Sequence, residues 1–296
     1  MAQRQGFLFY GPLFRVGAGL RPAPTWEFLL GLLFLFFLGN RALADEQPAL
    51  RVCLLEDDLP YSSRQNNAGF DFDTAKAVAE ALNRPLAPLW VKNSTHIDEI
   101  EDSDLPTRRL SRNECDAIFS VPGPDALKDS PKLSIGAPYY GAAFELIGRE
   151  SGTPTSLAAL GEKPVAVQAQ TIANFVLNAR RAKMLTFFST EEALRGVAQG
   201  EAAAALLWGP TSGWYLRNHP ELGLFLVSGY EPPAVVRWNE HVATRKDDVA
   251  LREALDKALA RLSESGALQP LSERYGIPFH KPFATTYSLA EMQKLR

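Results

Sequence analysis

From residue 50 to about residue 282, short apolar runs alternate with stretches whose apolar positions recur every three or four residues. That alternation is the signature of strands joined by helical crossovers. LRVCLLE, residues 50–56, reads as a buried first strand that stops at the turn-forming Asp57-Asp58-Leu59-Pro60-Tyr61. FDFDTAKAVAEALN follows as a helix with Ala75, Val78, Ala79 and Leu82 on one face, and with Asp71 and Asp73 near its positive N-terminal end. Residues 85–91 give a second strand, a basic helix end falls at Arg108-Arg109, and CDAIFSV (115–121) gives a third strand.

The composition then shifts through Pro122-Gly123-Pro124 and a polar stretch to Pro138-Tyr139-Tyr140 and a strand-like AAFELIG at 142–148. From Leu157 the plan repeats. KPVAVQ is a strand and 171–181 a helix, while Ser189-Thr190-Glu191-Glu192 is a capping box that opens a helix through Gln199. AAAALLW (202–208) and GLFLVS (223–228) are further strands. Residues 248–275 carry Leu251, Leu255, Leu259 and Leu262 on one helical face, with Gly266 as a stop before a shorter helix. The pattern predicts an α/β protein of two lobes, each a mostly parallel sheet flanked by helices, joined by two crossings near 142–148 and 236–244. We assign 45–143 plus 243–282 to lobe 1, 144–242 to lobe 2 and 283–296 to a C-terminal tail.

Ligands of such sheets bind beyond the carboxyl ends of the strands, where helix N-termini present free N–H groups. That rule selects four loops, at 57–61, 120–123, 168–171 and 208–213. Their candidate cleft residues are Asp58, Tyr61, Ser120, Pro122, Gln168, Gln170, Thr171, Trp208, Gly209 and Pro210, with Tyr139 added from the Pro-Tyr-Tyr segment. Trp208 and Trp214 read either as stacking walls for a planar ligand or as core, with Trp208 placed in the cleft and Trp214, like Tyr215, on the core face of the following helix. Gln168, Gln170 and Thr171 either bind an anion or hydroxyl or only cap the helix they precede.

One apolar block stands apart, FLLGLLFLFFLG at 28–39, with Arg4, Arg15 and Arg21 before it and Arg41-Ala42-Leu43-Ala44 after it. It is short for a membrane span but suits a secretory signal, with cleavage expected after Ala44 and no stable membrane insertion afterwards. A start codon placed too early and an uncleaved anchor fit the same block. Residues 1–44 hold four Arg and one Glu, so the 31 basic and 34 acidic residues of the chain fall to 27 and 33, a formal charge of −6. Such a surface argues against nucleic acid and could steer a basic partner. In a periplasmic, oxidising compartment Cys53 and Cys115 are free to pair, and we expect a disulfide, two separate buried thiols being the other reading.

Catalytic signatures are missing: there is no GxSxG, P-loop, GxGxxG or HExxH. His96, His219, His241 and His280 are scattered through polar segments and are expected to be solvated. Asp57 and Asp58 could serve acid–base work or a hard cation, though a charged turn after a strand is the commoner arrangement. We expect no enzyme and no bound metal.

The order LPY, GFDFDTAKAVAEAL, CDAIFSVPG, PYY, ALRGVAQGEAAAAL and ALARLSESGALQPLSERYG resembles the periplasmic solute-binding proteins of family 3, with their type 2 two-lobed clamshell fold. In that family an Arg just ahead of PYY grips a ligand carboxylate and an Asp after the late strand holds the ammonium. This chain departs at both places: 125–137 offers Asp125, Lys128, Asp129 and Lys132 but no Arg, and Trp208 stands where the Asp would be. A zwitterion would enter with both charges unpaired. WGPTSGWY and the terminal ERYGIP are similar to the branch associated with quinoprotein (methanol) dehydrogenases, although 125–137 lacks the Thr-Thr-Arg type run expected there. That resemblance implies an accessory protein of a pyrroloquinoline-quinone (PQQ) alcohol dehydrogenase and its c-type cytochrome, acting by binding. PQQ would belong to the partner, leaving this chain with no cofactor of its own. The alternative is a receptor that passes a small non-amino-acid solute to an ABC permease.

Overall fold

The computed structural model describes residues 47–93, 105–149, 153–288 and 291; the apolar block and the expected cleavage site lie outside them. Strand β1 (Leu50–Leu55) is buried along most of its length and pairs in parallel with β4 (Leu86–Val91). Between them come the short antiparallel pair β2 (Asp57–Asp58) and β3 (Ser62–Ser63) and the helix α1 (Phe70–Ala81). After helix α2 (Pro106–Ser111), Ala117 bridges in parallel to Val52 and leads into β5 (Ile118–Val121). A strand covered on both faces is apolar on both, which is why residues 52–55 run without alternation, while Arg51 near the strand's start reaches out to Asp116 at 2.6 Å.

Two long antiparallel strands continue from this lobe into the next. β6 (Leu133–Gly148) pairs along its first part with β11 (Arg237–Arg245), which also pairs with β5. The far end of β6, from Phe144, pairs instead with β9 (Ala204–Trp208) and with β10 (Phe225–Leu226). Parallel strands β7 (Val165–Gln168) and β8 (Met184–Phe187) complete the order β9-β7-β8. The strand expected over 142–148 therefore starts at Leu133 and carries Pro138 within it, beside a shift of register opposite His241 that accommodates a residue with no N–H. Strand β8 was not anticipated, and GLFLVS contributes only two strand residues.

The second lobe has a core on each face of its sheet. Leu146, Val165, Val167 and Leu206 face one side, while Ile147, Ala166, Ala205 and Leu207 face the other, as period-two alternation requires. Helices α3 (Ile172–Ala179), α4 (Thr190–Ala198) and α5 (Gly209–Asn218) cover it. As expected, Ser189 caps α4, its Oγ accepting from Glu192 N at 3.1 Å.

In the first lobe, Leu50, Val52, Phe70, Tyr140, Leu255 and Leu259 form the main core. The helical stretch 248–275 divides into α6 (Val249–Glu264) and α7 (Leu268–Arg274), separated at Gly266, whose φ of 74° suits glycine. Tyr275 then donates its hydroxyl to Asp73 and accepts from Gly69 N, both at 2.8 Å, tying this end to α1. Trp214 packs against the same core beside Tyr275. Cys53 and Cys115 form the expected disulfide between β1 and the approach to β5, across 62 residues of chain.

Beyond α7 the chain runs back along the two long strands. Gly141 N donates to His280 O at 2.8 Å, and Asn239 exchanges two hydrogen bonds with the Phe283 backbone, at 2.7 and 2.9 Å. Arg237 donates to Thr285 O at 3.0 Å and lies 4.6 Å over the Phe283 ring. His280 Nε2 sits 2.7 Å from Oε1 of the buried Glu145. Two of the histidines expected to be solvated are thus built into the fold: His280, and the half-buried His241, whose Nδ1 lies 2.8 Å from Gly136 O. His219 is at the surface, stacked on Tyr215, and His96 lies outside the described residues.

Candidate functional site

A cavity of about 570 Å³ opens beyond the ends of β1 and β5, with Trp208 and Trp238 on its far side. The turn after β1 supplies Asp58 and Tyr61, the N-terminal turn of α1 supplies Asp71, the end of β5 and the residue after it supply Ser120 and Pro122, and β11 supplies Trp238 and Glu240. Trp208 arrives because β9 ends there and Gly209-Pro210 begins α5, with proline in the first turn where its missing N–H has no helical partner to lose. A side chain on Gly209 would lie 2.8 Å from Ala143 O and from the Glu145 side chain, so the helix can approach β6 this closely only with glycine.

Five of the eleven cleft candidates line this cavity: Asp58, Tyr61, Ser120, Pro122 and Trp208. Tyr139 stands behind it, its hydroxyl accepting from Ser120 N at 3.1 Å. Gly209 and Pro210 are buried beneath Trp208 and act through backbone geometry. Gln168, Gln170 and Thr171 are outside the lining. Thr171 caps α3, accepting from Asn174 N at 3.3 Å, and Gln168 accepts from Thr190 Oγ1 at 3.1 Å. Gln170, at a φ of 60°, forms the turn between them.

Trp208 joins the two lobes. Its Nε1 donates to the Tyr61 hydroxyl at 3.1 Å, and its ring packs edge-on against Phe144 and Trp238, with centroids 5.5 and 5.8 Å away. It therefore belongs to the cavity wall and to both adjoining cores at once.

Sequence reasoning missed three lining residues: Asp71 and Glu240, which set the electrostatics, and the Trp238 ring. Asp71 read as a helix N-terminal charge, yet it is only 8% exposed, and its Oδ1 accepts from Ser120 Oγ at 2.5 Å. Glu240 is 2% exposed, and its Oε2 has no hydrogen-bond partner among the described residues. One signal was available: period two puts Glu240 on the face of Trp238 and Val242, an acid on an otherwise apolar side of a strand.

Burial pushes the Asp58 carboxyl up to about 6, with help from neighbouring Asp57. Burial likewise lifts Asp71 to about 8, against the Ser120 hydrogen bond, and Glu240 to about 8, with Asp71 adding to it. The hydroxyls of Tyr61, Tyr139 and Tyr140 are raised by the same burial and by these acids. Among the described lining residues there is no Lys, Arg or His. Nor does any group of three or more His, Cys, Asp or Glu among the described residues have the geometry to hold a metal ion.

Two lobes strung on two long shared strands, with a cavity at the strand ends, define a type 2 periplasmic-binding-protein fold. The chain belongs to the bacterial extracellular solute-binding proteins, family 3, whose sequence pattern matches residues 50–278. Among solved structures it is similar to the L-cystine solute receptor of Neisseria gonorrhoeae in its unliganded open conformation, at 18% identity and a TM-score of 0.63, covering 77% of this chain and 93% of that one. MxaJ from Methlophaga aminisulfidivorans is similar at 20% identity and a TM-score of 0.55, with 78% and 100% covered. An ancestral cationic amino acid solute-binding protein is similar at 25% identity and a TM-score of 0.59, with 77% and 95% covered. No functionally curated protein matches the chain. Among the described residues no helix is long and apolar enough to cross a membrane.

Proposed function

We propose that this chain is an exported periplasmic protein, released by cleavage after Ala44, that serves a PQQ-dependent alcohol dehydrogenase by binding rather than by catalysis. It would dock to the dehydrogenase, or to the dehydrogenase and its c-type cytochrome, and the relative position of the lobes would set its affinity for them. PQQ stays with the partner. The observation that carries this reading is Trp208. Where the amino-acid receptors hold an ammonium with a carboxylate, this chain places an indole locked to Tyr61, Phe144 and Trp238. The lining also offers no guanidinium for a carboxylate among its described residues, so capture of a zwitterion is disfavoured. The Trp-Gly-Pro and Gly-aromatic arrangement around residues 208–215, similar to the dehydrogenase-associated branch, supports the choice of partner.

The cavity itself favours a second reading, a receptor that hands a small non-amino-acid solute to an ABC permease. Affinity purification of the tagged chain from periplasm separates the two. Recovery of a quinoprotein dehydrogenase large subunit is expected. Recovery of a permease and its ATPase from solubilised membranes, without the dehydrogenase, overturns the first reading in favour of the second. If docking uses the −6 charge, affinity also falls as salt rises.

A further inference from the structure

The cavity gathers Asp58, Asp71 and Glu240 from three separate elements, and no described lining residue carries a positive charge to match them. Acidic clusters at a surface are ordinarily solvated, but two of these three are almost fully buried. A buried polar atom with no partner is strongly unfavourable, so Glu240 Oε2 marks a place where a hydrogen-bond donor is missing. The donor has to come with a positive charge if the three acids are to be ionised together. It also has to be organic, because the acids do not converge as metal ligands do and the rest of the lining is largely apolar, with the rings of Tyr61, Phe119, Trp208 and Trp238 among aliphatic side chains such as Leu54 and Ile118. Carboxylates and aromatic rings are the two kinds of group that recognise an ammonium, and this lining holds both.

We infer that the cavity binds a small protonated alkylamine that carries no carboxylate, its N–H groups directed to Glu240, Asp71 and Asp58 and its methylenes against Tyr61, Trp208 and Trp238. The N–H requirement excludes a quaternary ammonium, which could not satisfy Glu240. A carboxylate on the ligand would meet three acids and, among the described lining residues, no base. The inference rests on reading the cleft as a ligand site and names the chemistry that site would take, whichever partner the protein serves.

Binding has a second signature. Asp71 and Glu240, raised to about 8, hold protons at pH 7, as does some of the Asp58 population, raised to about 6. Tyr61, Tyr139 and Tyr140, the other titratable groups facing them, stay neutral. An ammonium that pairs with the acids must therefore displace protons to solvent.

The test is isothermal titration calorimetry of the full chain at pH 7 with 1,4-diaminobutane and n-butylamine, and with 4-aminobutyrate and 1-butanol as the zwitterionic and neutral controls. Each is run in two buffers of different ionisation enthalpy. The diamine should bind at least tenfold tighter than either control, with between one and two protons released. Glu240→Gln should weaken the diamine about tenfold and remove close to one released proton, while its thermal melt shows that it is folded. Asp58→Asn, at the least buried of the three acids, should weaken binding without disturbing the core. Equal affinity for 4-aminobutyrate or 1-butanol, amine binding with no proton release, or no amine binding by the folded wild-type chain overturns the inference. If amines fail while a dehydrogenase co-purifies, this inference falls and the proposed function stands; if an amine binds and no dehydrogenase is recovered, the reverse holds.

Discussion

The two lobes spend their polar side chains in opposite ways. In the second lobe, polar side chains at the starts of α3 and α4 satisfy the local backbone and one another: Ser189 and Thr171 cap helices, and Gln168 is occupied by Thr190. In the first lobe, and on the β11 face that adjoins it, Asp58, Asp71 and Glu240 line a cavity with no matching base among its described residues. The first lobe also carries the disulfide. The contrast teaches that the acids of the lining come from the first lobe and from β11, with the second lobe adding the Trp208 and Trp238 rings. A loop at a helix N-terminus is a candidate site from sequence; it becomes one only if its polar groups are not already used in making the helix.

The largest test of that asymmetry removes the disulfide. Cys53→Ser with Cys115→Ser should cost about 4 kcal/mol in a denaturant titration, as the chain-entropy model gives for a 62-residue closure. The loss should be confined to the first lobe's contribution, so hydrogen exchange in β1 and β4 should rise while β7 and β9 stay protected. Equal deprotection of both lobes would mean that they unfold as one unit.

Trp208→Ala should cost about 3 kcal/mol, because the indole is packed against Phe144 and Trp238 as well as lining the cavity. Partner or ligand binding should be lost at a temperature where the variant's circular dichroism still matches wild type. Retained binding removes Trp208 from the site.

Glu240→Gln probes the acids directly. An acid raised in the folded state to about 8 keeps its proton while the unfolded chain loses its own, so stability declines as pH climbs from the ordinary carboxylate range toward 8. The His241 imidazole, pushed down by burial, works oppositely near neutrality, so the comparison with wild type is the informative quantity. Between pH 6 and 8 the variant should lose stability less steeply than wild type by about 1 kcal/mol per pH unit, read from denaturant midpoints. Parallel profiles would show that Glu240 is ionised in the folded chain.

Thr171→Ala is the smallest change. Loss of the α3 cap should cost about 1 kcal/mol and leave the Kd for any cleft ligand unchanged. A weakened Kd would return the 168–171 loop to the site.

The sequence made most of this architecture readable, because long amphipathic helices and apolar parallel strands announce themselves by period. Trp208 was legible too, as a bulky ring at a strand end followed by Gly-Pro. Strand β8 was not, since four edge residues with an exposed Thr186 carry too little periodic signal. The long reach of β6 was hidden by Pro138, which reads as a break unless the bulge opposite it is known. Asp71 was visible as a residue and misjudged as a role: helix-end charge and buried acid look alike until the partner strand is in place.

The segment that runs back over β6 and β11 offers a practical opportunity. Phe283 is anchored by Asn239 and Arg237 on one long strand and lies against Gly141 on the other, yet it is not part of the cavity wall. A rotation of the lobes that bends these strands must displace the ring. A fluorine label on Phe283 is therefore a gauge of opening and closing that leaves the ligand chemistry untouched.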